Sequence, residues 1–126
     1  MNILLNRILL EFARLRDALE ILESKLTFVT TPSLGYITFC PSNLGTTLRA
    51  SVHIKLPRLS SNNKLKELAK EKGLQVRGTG GEHTGTVGGI VDISNIKRMG
   101  LSEVMAVSTM YKGIKEIIKA EELLEN

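Results

Sequence analysis

Two arginines in this sequence have the local setting expected of phosphate ligands. Arg49 and Arg77 each lie on the polar side of a predicted strand, and each of those strands borders a turn that contains glycine. A guanidinium presents rigid paired donors to phosphate oxygens, and glycine lets backbone N–H groups approach the same anion. The pattern therefore favours phosphate binding. Neither the Walker sequence nor GxGxxG occurs, so the general nucleotide motifs give no support.

A second candidate group surrounds the single cysteine. Cys40 ends a predicted strand and is followed by Pro41 and Ser42. The neighbouring hydroxyl and the N–H groups of a turn would stabilise a thiolate at this position. A lone cysteine at a strand end is, however, more often a small buried hydrophobe. From the residues alone, both interpretations stay open.

Three further side chains have possible chemistry and equally ordinary explanations. Glu82 lies in a glycine-rich loop, where it could pair with a cationic substrate or act as a base when the loop closes. An exposed loop glutamate is usually only a solvated charge. His53 could stack on a purine, although a single histidine on a strand is more often structural, and His83 has no evident partner. The cysteine and the histidines do not have the spacing of zinc ligands.

Hydrophobic periodicity predicts the elements that hold these residues. Apolar residues three and four apart predict one long amphipathic helix near the start of the chain, with its apolar stripe packed on the core. Alternating and β-branched segments predict four strands, the first two of which are expected to form an antiparallel pair. Helices are expected before Gly73 and after an N-cap at Ser102. The order predicts an α+β fold with a largely antiparallel sheet flanked by helices. The predicted strands are 35–40, 47–56, 74–77 and 89–94, and the stripe consists of Ile8, Phe12, Leu15, Leu19, Leu22 and Leu26.

Composition limits the class of protein. A chain of 126 residues with 42% hydrophobic content fits one domain over 1–126, with an amphipathic helix over 1–28 and an α+β core over 34–126. The net charge of +4 favours anionic partners. Dispersed basic residues and the absence of tryptophan argue against a nucleic-acid binder, and charges or turn residues interrupt every apolar stretch, so no membrane partner is expected. One cysteine fits a reducing compartment, so we expect a cytoplasmic protein.

Four ordered segments of the chain resemble the phosphagen (ATP:guanidino) kinases, in particular the arginine kinases. The segments are Cys40 to Thr46, Arg49 to Pro57, Leu74 to His83, and Asp92 to Asn95 followed by Arg98 to Leu101. The resemblance covers Leu34 to the C-terminus. It implies part of the glutamine-synthetase-like catalytic domain of the guanidino kinases. The implied reaction is reversible transfer of the ATP γ-phosphoryl to arginine, giving phosphoarginine and ADP. Its cofactor would be Mg-ATP, with Mg²⁺ held through the nucleotide phosphates and no protein metal ligand.

The resemblance also assigns roles by position. It implies catalytic roles for Arg49, Arg77, Glu82 and Cys40. Cys40 and Glu82 would bind the guanidino substrate, with Ser42 tuning the pKa of the thiol. Glu82 favours arginine over creatine, because creatine kinases have an apolar residue there, whereas Ser42 is the hydroxyl residue that creatine kinases prefer over the usual threonine. The implied ATP-binding residues are Arg49, Ala50, Ser51, Val52, His53, Arg77, Gly78, Thr79, Gly80, Gly81 and Glu82.

The sequence lacks some parts of the family's catalytic machinery. The family has a helical N-terminal domain and an earlier part of the catalytic domain, which supply further phosphate-binding arginines, a second substrate carboxylate and a specificity loop. We therefore expect weak or no turnover by this chain alone. We also expect an exposed sheet edge and apolar face, which self-association or a further domain would cover. The alternative function is a catalytically inactive nucleotide-binding or interaction module with the same fold.

Overall fold

The computed structural model describes residues 2–62, 64–78 and 88–124. Within these ranges the chain forms four α-helices, five strands and one short 3₁₀ helix at Pro41–Asn43. The helices are α1 (Asn2–Glu23), α2 (Pro57–Ser61), α3 (Lys64–Glu71) and α4 (Glu103–Leu123). The strands are β1 (Thr30–Thr31), β2 (Gly35–Tyr36), β3 (Ser51–Lys55), β4 (Leu74–Gly78) and β5 (Ile90–Asn95). The predicted α+β class is confirmed.

The main sheet has three antiparallel strands, with β5 in the centre between β3 and β4. Val52 of β3 and Val76 of β4 both lie directly opposite Ile93 of β5. Alternate residues of a strand point to the same side of the sheet. The side that carries this apolar row is covered by α3, which packs on β4, and by α4, which packs on β5. The buried core consists of Leu56, Leu59, Leu65, Ala69, Leu74, Val91, Ile93, Met110, Ile114 and Ile117.

The predicted pairing of the first two strands is wrong. β2 is only two residues long and pairs with β1, whereas β3 pairs with β5. β3 also begins at Ser51 rather than at residue 47. Thr47 has a φ of 56°, a left-handed conformation that interrupts an extended chain. Arg49, which the sequence placed on a strand, therefore lies in the irregular segment that leads into β3.

The long N-terminal helix is present, but only its beginning packs on the core. Leu4 and Ile8 contact the core cluster, whereas Leu15 and Leu22 of the predicted stripe are exposed. The predicted core packing of the whole stripe is therefore wrong. Further exposed apolar residues follow α1, and Phe12, Leu19, Phe28 and Ile37 help to line an open groove of ≈ 1020 Å³. Among the described residues, no helix is long and apolar enough to cross a membrane.

Side chains at the two ends of α4 cap helices: Ser102 caps α4 itself, and Glu121 caps the neighbouring α2. Ser102 is the N-cap of α4, as predicted, and its Oγ accepts a hydrogen bond from the N–H of Met105 at 3.2 Å. The carboxylate of Glu121, near the end of α4, accepts bonds from the N–H groups of Arg58 and Leu59, each at 2.9 Å. These N–H groups open α2 and have no partner within their own helix. Glu121 thereby ties α2 to α4.

We expect Glu121→Ala to destabilise the fold by about 1–2 kcal/mol, the usual cost of losing a helix N-cap. Urea unfolding followed by circular dichroism measures this change, with an unchanged denaturant slope. Glu122→Ala is the matched control, because Glu122 is exposed on the same helical turn and should change the free energy of unfolding by less than about 0.5 kcal/mol. Equal effects of the two substitutions would contradict the capping role.

Candidate functional site

The polar face of the sheet brings three of the chemically active side chains into one row. His53 of β3 and Arg77 of β4 both lie directly opposite Asp92 of the central strand. Directly opposite residues of antiparallel strands have Cβ atoms about 5 Å apart on the same face. The next row consists of Ser51, Ser94 and Gln75. The sheet register therefore assembles His53, Asp92 and Arg77 on the side opposite the core.

Arg49 joins this row through an ion pair. Its guanidinium contacts the carboxylate of Asp92, whose side chain is only 8% exposed, while the Arg49 side chain is 32% exposed. The Nε2 atom of His53 lies 3.6 Å from the other carboxylate oxygen. A buried carboxylate is costly unless it is paired, so Asp92 favours a fixed position of the Arg49 guanidinium. The guanidinium of Arg49 is therefore partly exposed and is held by Asp92, the residue directly opposite Arg77 of β4.

Asp92 is the residue of this group to which the sequence reasoning gave no role. In the sequence it is only the first residue of the Asp92 to Asn95 motif. Its alternation with the apolar Val91 and Ile93 predicts only that Asp92 and Ser94 lie on the polar face of the strand. The burial of Asp92 and its pairing with Arg49 follow from the register of the sheet, which the alternation alone does not show.

Arg77 occupies the predicted strand position. Its Nη2 donates a hydrogen bond to Oε1 of Gln75 at 3.0 Å. The strand ends at the buried Gly78. Four residues of the predicted site, Thr79, Gly80, Gly81 and Glu82, lie outside the described residues, as does His83. Their predicted roles stay predictions.

Residues 50–53 alternate between the two faces of the sheet. Ala50 and Val52 are partly buried and pack against the hydrophobic core. Ser51 and His53 lie on the polar side and are exposed. Of the four predicted nucleotide-binding residues at positions 50–53, only Ser51 and His53 therefore present side chains to the face that carries Arg49. Ala50 and Val52 could contribute main-chain atoms alone.

The cysteine lies at the surface and not at a strand end. Cys40 is exposed and forms the N-cap of the 3₁₀ helix Pro41–Asn43, so the buried-hydrophobe interpretation is wrong. Its Sγ lies 3.0 Å from Oγ of Ser42. The Ser42 hydroxyl, followed by the Ser42 backbone N–H, lowers the pKa of the Cys40 thiol, and the positive charge of Arg98 adds to this. Desolvation of the thiol acts in the opposite direction and is a larger effect than the charge of Arg98, but a smaller one than either Ser42 hydrogen bond. The arrangement favours the thiolate.

The cysteine turn is fixed to the chain that follows β5. Nη1 of Arg98 donates to Oδ1 of Asn43, and the carbonyl of Arg98 accepts from the N–H of Thr46 at 2.8 Å. Gly45 permits this approach: it has a φ of 104°, and an added Cβ would lie 2.3 Å from the Arg98 carbonyl oxygen. A larger residue is therefore excluded at position 45. Both Cys40 and Arg49 thus depend on β5 and its extension.

The metal-binding capacity of the described residues is limited. Over 2–62, 64–78 and 88–124, no three or more His, Cys, Asp or Glu side chains group closely enough to hold a metal ion. The buried carboxylate of Asp92 is engaged by Arg49. The described site thus consists of a polar sheet face that carries Arg49 and Arg77, and a separate exposed thiol whose pKa is lowered.

Comparison with known proteins identifies relatives of the chain. It is 56% identical over 110 residues to an arginine kinase of Liolophura japonica, covering 87% of this chain and 32% of that protein. It is 51% identical over 114 residues to a taurocyamine kinase of Schistosoma mansoni, covering 90% of this chain and 15% of that protein. The chain thus spans about a third or less of the length of these relatives.

Solved structures give the same picture. The duplicated taurocyamine kinase of Schistosoma mansoni, with bound transition state analogue components, matches with a TM-score of 0.81 and 51% identity, covering 90% of this chain and 16% of that chain. A lombricine kinase matches with a TM-score of 0.69 and 49% identity, covering 73% of this chain and 25% of that chain. The sequence model of one family, described as ATP:guanido phosphotransferase, C-terminal catalytic domain, matches residues 8–124. The chain belongs to the ATP:guanido phosphotransferase family, within its C-terminal catalytic domain.

Proposed function

We propose that this chain binds the nucleotide and the guanidino group in an arginine-kinase-type phosphotransferase. The γ-phosphoryl of ATP would pass to a guanidino nitrogen of L-arginine, forming the N–P bond as the bond to the ADP oxygen breaks. The guanidinium loses a proton in this direction. The observation that carries the proposal is the fixed Arg49 guanidinium, held by the buried Asp92 on the face that also bears Arg77.

The electrostatics of this face suit phosphoryl transfer. Such reactions depend mainly on positioning and on neutralising the charge of the phosphoryl group, for which arginines are well suited. In the proposed site, Arg49 and Arg77 contact phosphate oxygens of the nucleotide. Mg²⁺, which would arrive on those phosphates, neutralises part of their charge when bound. Its ligands would be phosphate oxygens, because Asp92 is already paired with Arg49.

The guanidino substrate would lie against Cys40. A thiolate is a suitable partner for a guanidinium, and the lowered pKa of Cys40 favours that form. In this proposal, Glu82 orients the same guanidinium and accepts its proton. L-arginine is the proposed substrate because arginine kinases are among the relatives at 56% identity. A taurocyamine kinase is similar at 51%, so substrate preference needs a direct comparison.

We expect Arg49→Ala to weaken ADP binding by about tenfold to a hundredfold, the loss of one charge-assisted contact. Isothermal titration calorimetry measures the Kd, and circular dichroism verifies the fold. Arg49→Lys should have a smaller effect, because it keeps a cation beside Asp92 without the guanidinium fork. Arg14→Ala is the matched control, since Arg14 is exposed and pairs only with Glu11 among the described contacts. ADP binding unchanged by both Arg49 substitutions would contradict the proposal.

Turnover separates the transferase from an inactive nucleotide-binding module. ³¹P NMR of the protein with ATP, Mg²⁺ and either L-arginine or taurocyamine detects the two phosphagens directly. Because weak turnover at most is expected of this chain alone, even slow formation of phosphoarginine in excess over phosphotaurocyamine, lost in Arg77→Ala, supports the proposal. ADP binding without either phosphagen would favour the inactive module, and a preference for taurocyamine would overturn the assignment of arginine.

We expect Ser42→Ala to raise the pKa of Cys40, because the substitution removes the hydroxyl that stabilises the thiolate. The stabilising effect of Ser42 is present above the lowered pKa and is lost on protonation, so the pH profile of thiol reactivity should move to higher pH. Alkylation by iodoacetamide reports this shift without ambiguity, since the chain has one cysteine. Ser61→Ala, at an exposed serine of α2, should leave the profile unchanged. An unchanged profile in Ser42→Ala would refute the effect.

A further inference from the structure

The segment that carries Arg49 lies outside the sheet. β3 begins at Ser51, so residues 47–50 have no regular pairing with β5. The only backbone hydrogen bond found between this segment and β5 in the described part of the chain is a long one, 3.4 Å, from the N–H of Asn95 to the carbonyl of Ala50. Something other than strand pairing must therefore fix the main chain at Arg49.

The side chain of Asn95 supplies that fixation. Its Oδ1 accepts from the N–H of Ala50 at 2.8 Å, and its Nδ2 donates to the carbonyl of Leu48 at 3.1 Å. The second Nδ2 hydrogen goes to the carbonyl of Lys97 at 3.0 Å. Both amide donors are thus used, and Asn95 is only 3% exposed. Asn95 replaces the missing strand pairing with a side-chain clamp.

The two bonded groups are the ones that determine the orientation of Arg49. The carbonyl of Leu48 belongs to the peptide group before the Arg49 Cα, and the N–H of Ala50 belongs to the peptide group after it. Because peptide groups are planar, holding both sets φ and ψ of Arg49 and the direction of its Cα–Cβ bond. Asp92, three residues before Asn95 on the same strand, holds the other end of the side chain.

We infer that Asn95 is a positioning residue for anion binding, which acts by orienting Arg49. This inference rests on the proposed function, since it takes Arg49 as the nucleotide-phosphate ligand. Removing the Asn95 amide leaves the Leu48 carbonyl and the Ala50 N–H, both in partly buried residues, without their partner, and the segment should move. Arg49 would then keep its charge, but its guanidinium would no longer be held in one orientation.

A double-mutant cycle on ADP binding tests the inference. We expect Asn95→Ala to raise the Kd for ADP by about tenfold in the natural chain and to have little effect in an Arg49→Ala background. If Asn95 merely supports the sheet, the same factor should appear in both backgrounds, because independent effects add. Equal factors, or no effect in the natural chain, would overturn the inference. Asn62→Ala, at an exposed asparagine that caps α2, is the control.

NMR separates failure of this inference from failure of the proposed function. Hydrogen exchange at the Ala50 amide should accelerate in Asn95→Ala while amides within β3 stay protected, and the Arg49 Nε–H resonance should shift. These measurements need no nucleotide. If the natural chain fails to bind ADP, an unshifted Arg49 resonance overturns the positioning role, and a shifted one supports it. Should Asn95→Ala fail to fold, Asn95→Ser, whose hydroxyl can still pair with one group, takes its place in both experiments.

Discussion

The stretch from Asp92 to Arg98 holds every described part of the proposed site. Asp92 fixes the guanidinium of Arg49, and Asn95 bonds to the main chain on either side of it. Arg98 binds the turn that carries Cys40. The stretch can do this because β5 is hydrogen-bonded to a strand on each side and is buried from Val91 to Asn95. A rigid central strand is a better support than a loop for groups that must meet a ligand with small tolerance.

The pairing of Arg49 with Asp92 has two opposing effects on anion binding. It offsets one positive charge, which reduces the long-range attraction of a phosphate. It also restricts a flexible side chain before the ligand arrives, which removes part of the conformational cost of binding. An arginine has five N–H donors, so one carboxylate leaves others available. With Asp92 6% exposed, breaking the pair would leave a buried charge uncompensated, so the restricted state is strongly favoured.

Local sequence patterns predicted those elements whose structure depends on nearby residues, such as a strand buried on one face. They failed for elements whose position depends on contacts with distant parts of the chain. The alternation from Val52 to Lys55 and the Ser102 cap are visible in sequence because each depends on neighbours a few residues away. The position of Arg49 off the strand was not predictable, since it follows from a left-handed Thr47 and from Asn95, some 45 residues later. The partial burial of α1 depends likewise on which surfaces the rest of the chain presents.

The site residues show the same division. The hydroxyl two residues after Cys40 is a local feature, and the Cys40–Ser42 contact follows from it. Asp92 could be understood only through the register that places it opposite His53 and Arg77. A slip of that register by one residue would turn Asp92 and Ser94 toward α3 and α4, and Val91 and Ile93 toward the face of the proposed site. Because one strand supplies the core on one face and the proposed anion site on the other, apolar burial of Val91 and Ile93 is also what selects the placement of Asp92. The hydrophobic burial of Val91 and Ile93 thus stabilises the fold and also sets the position of Asp92 in the site.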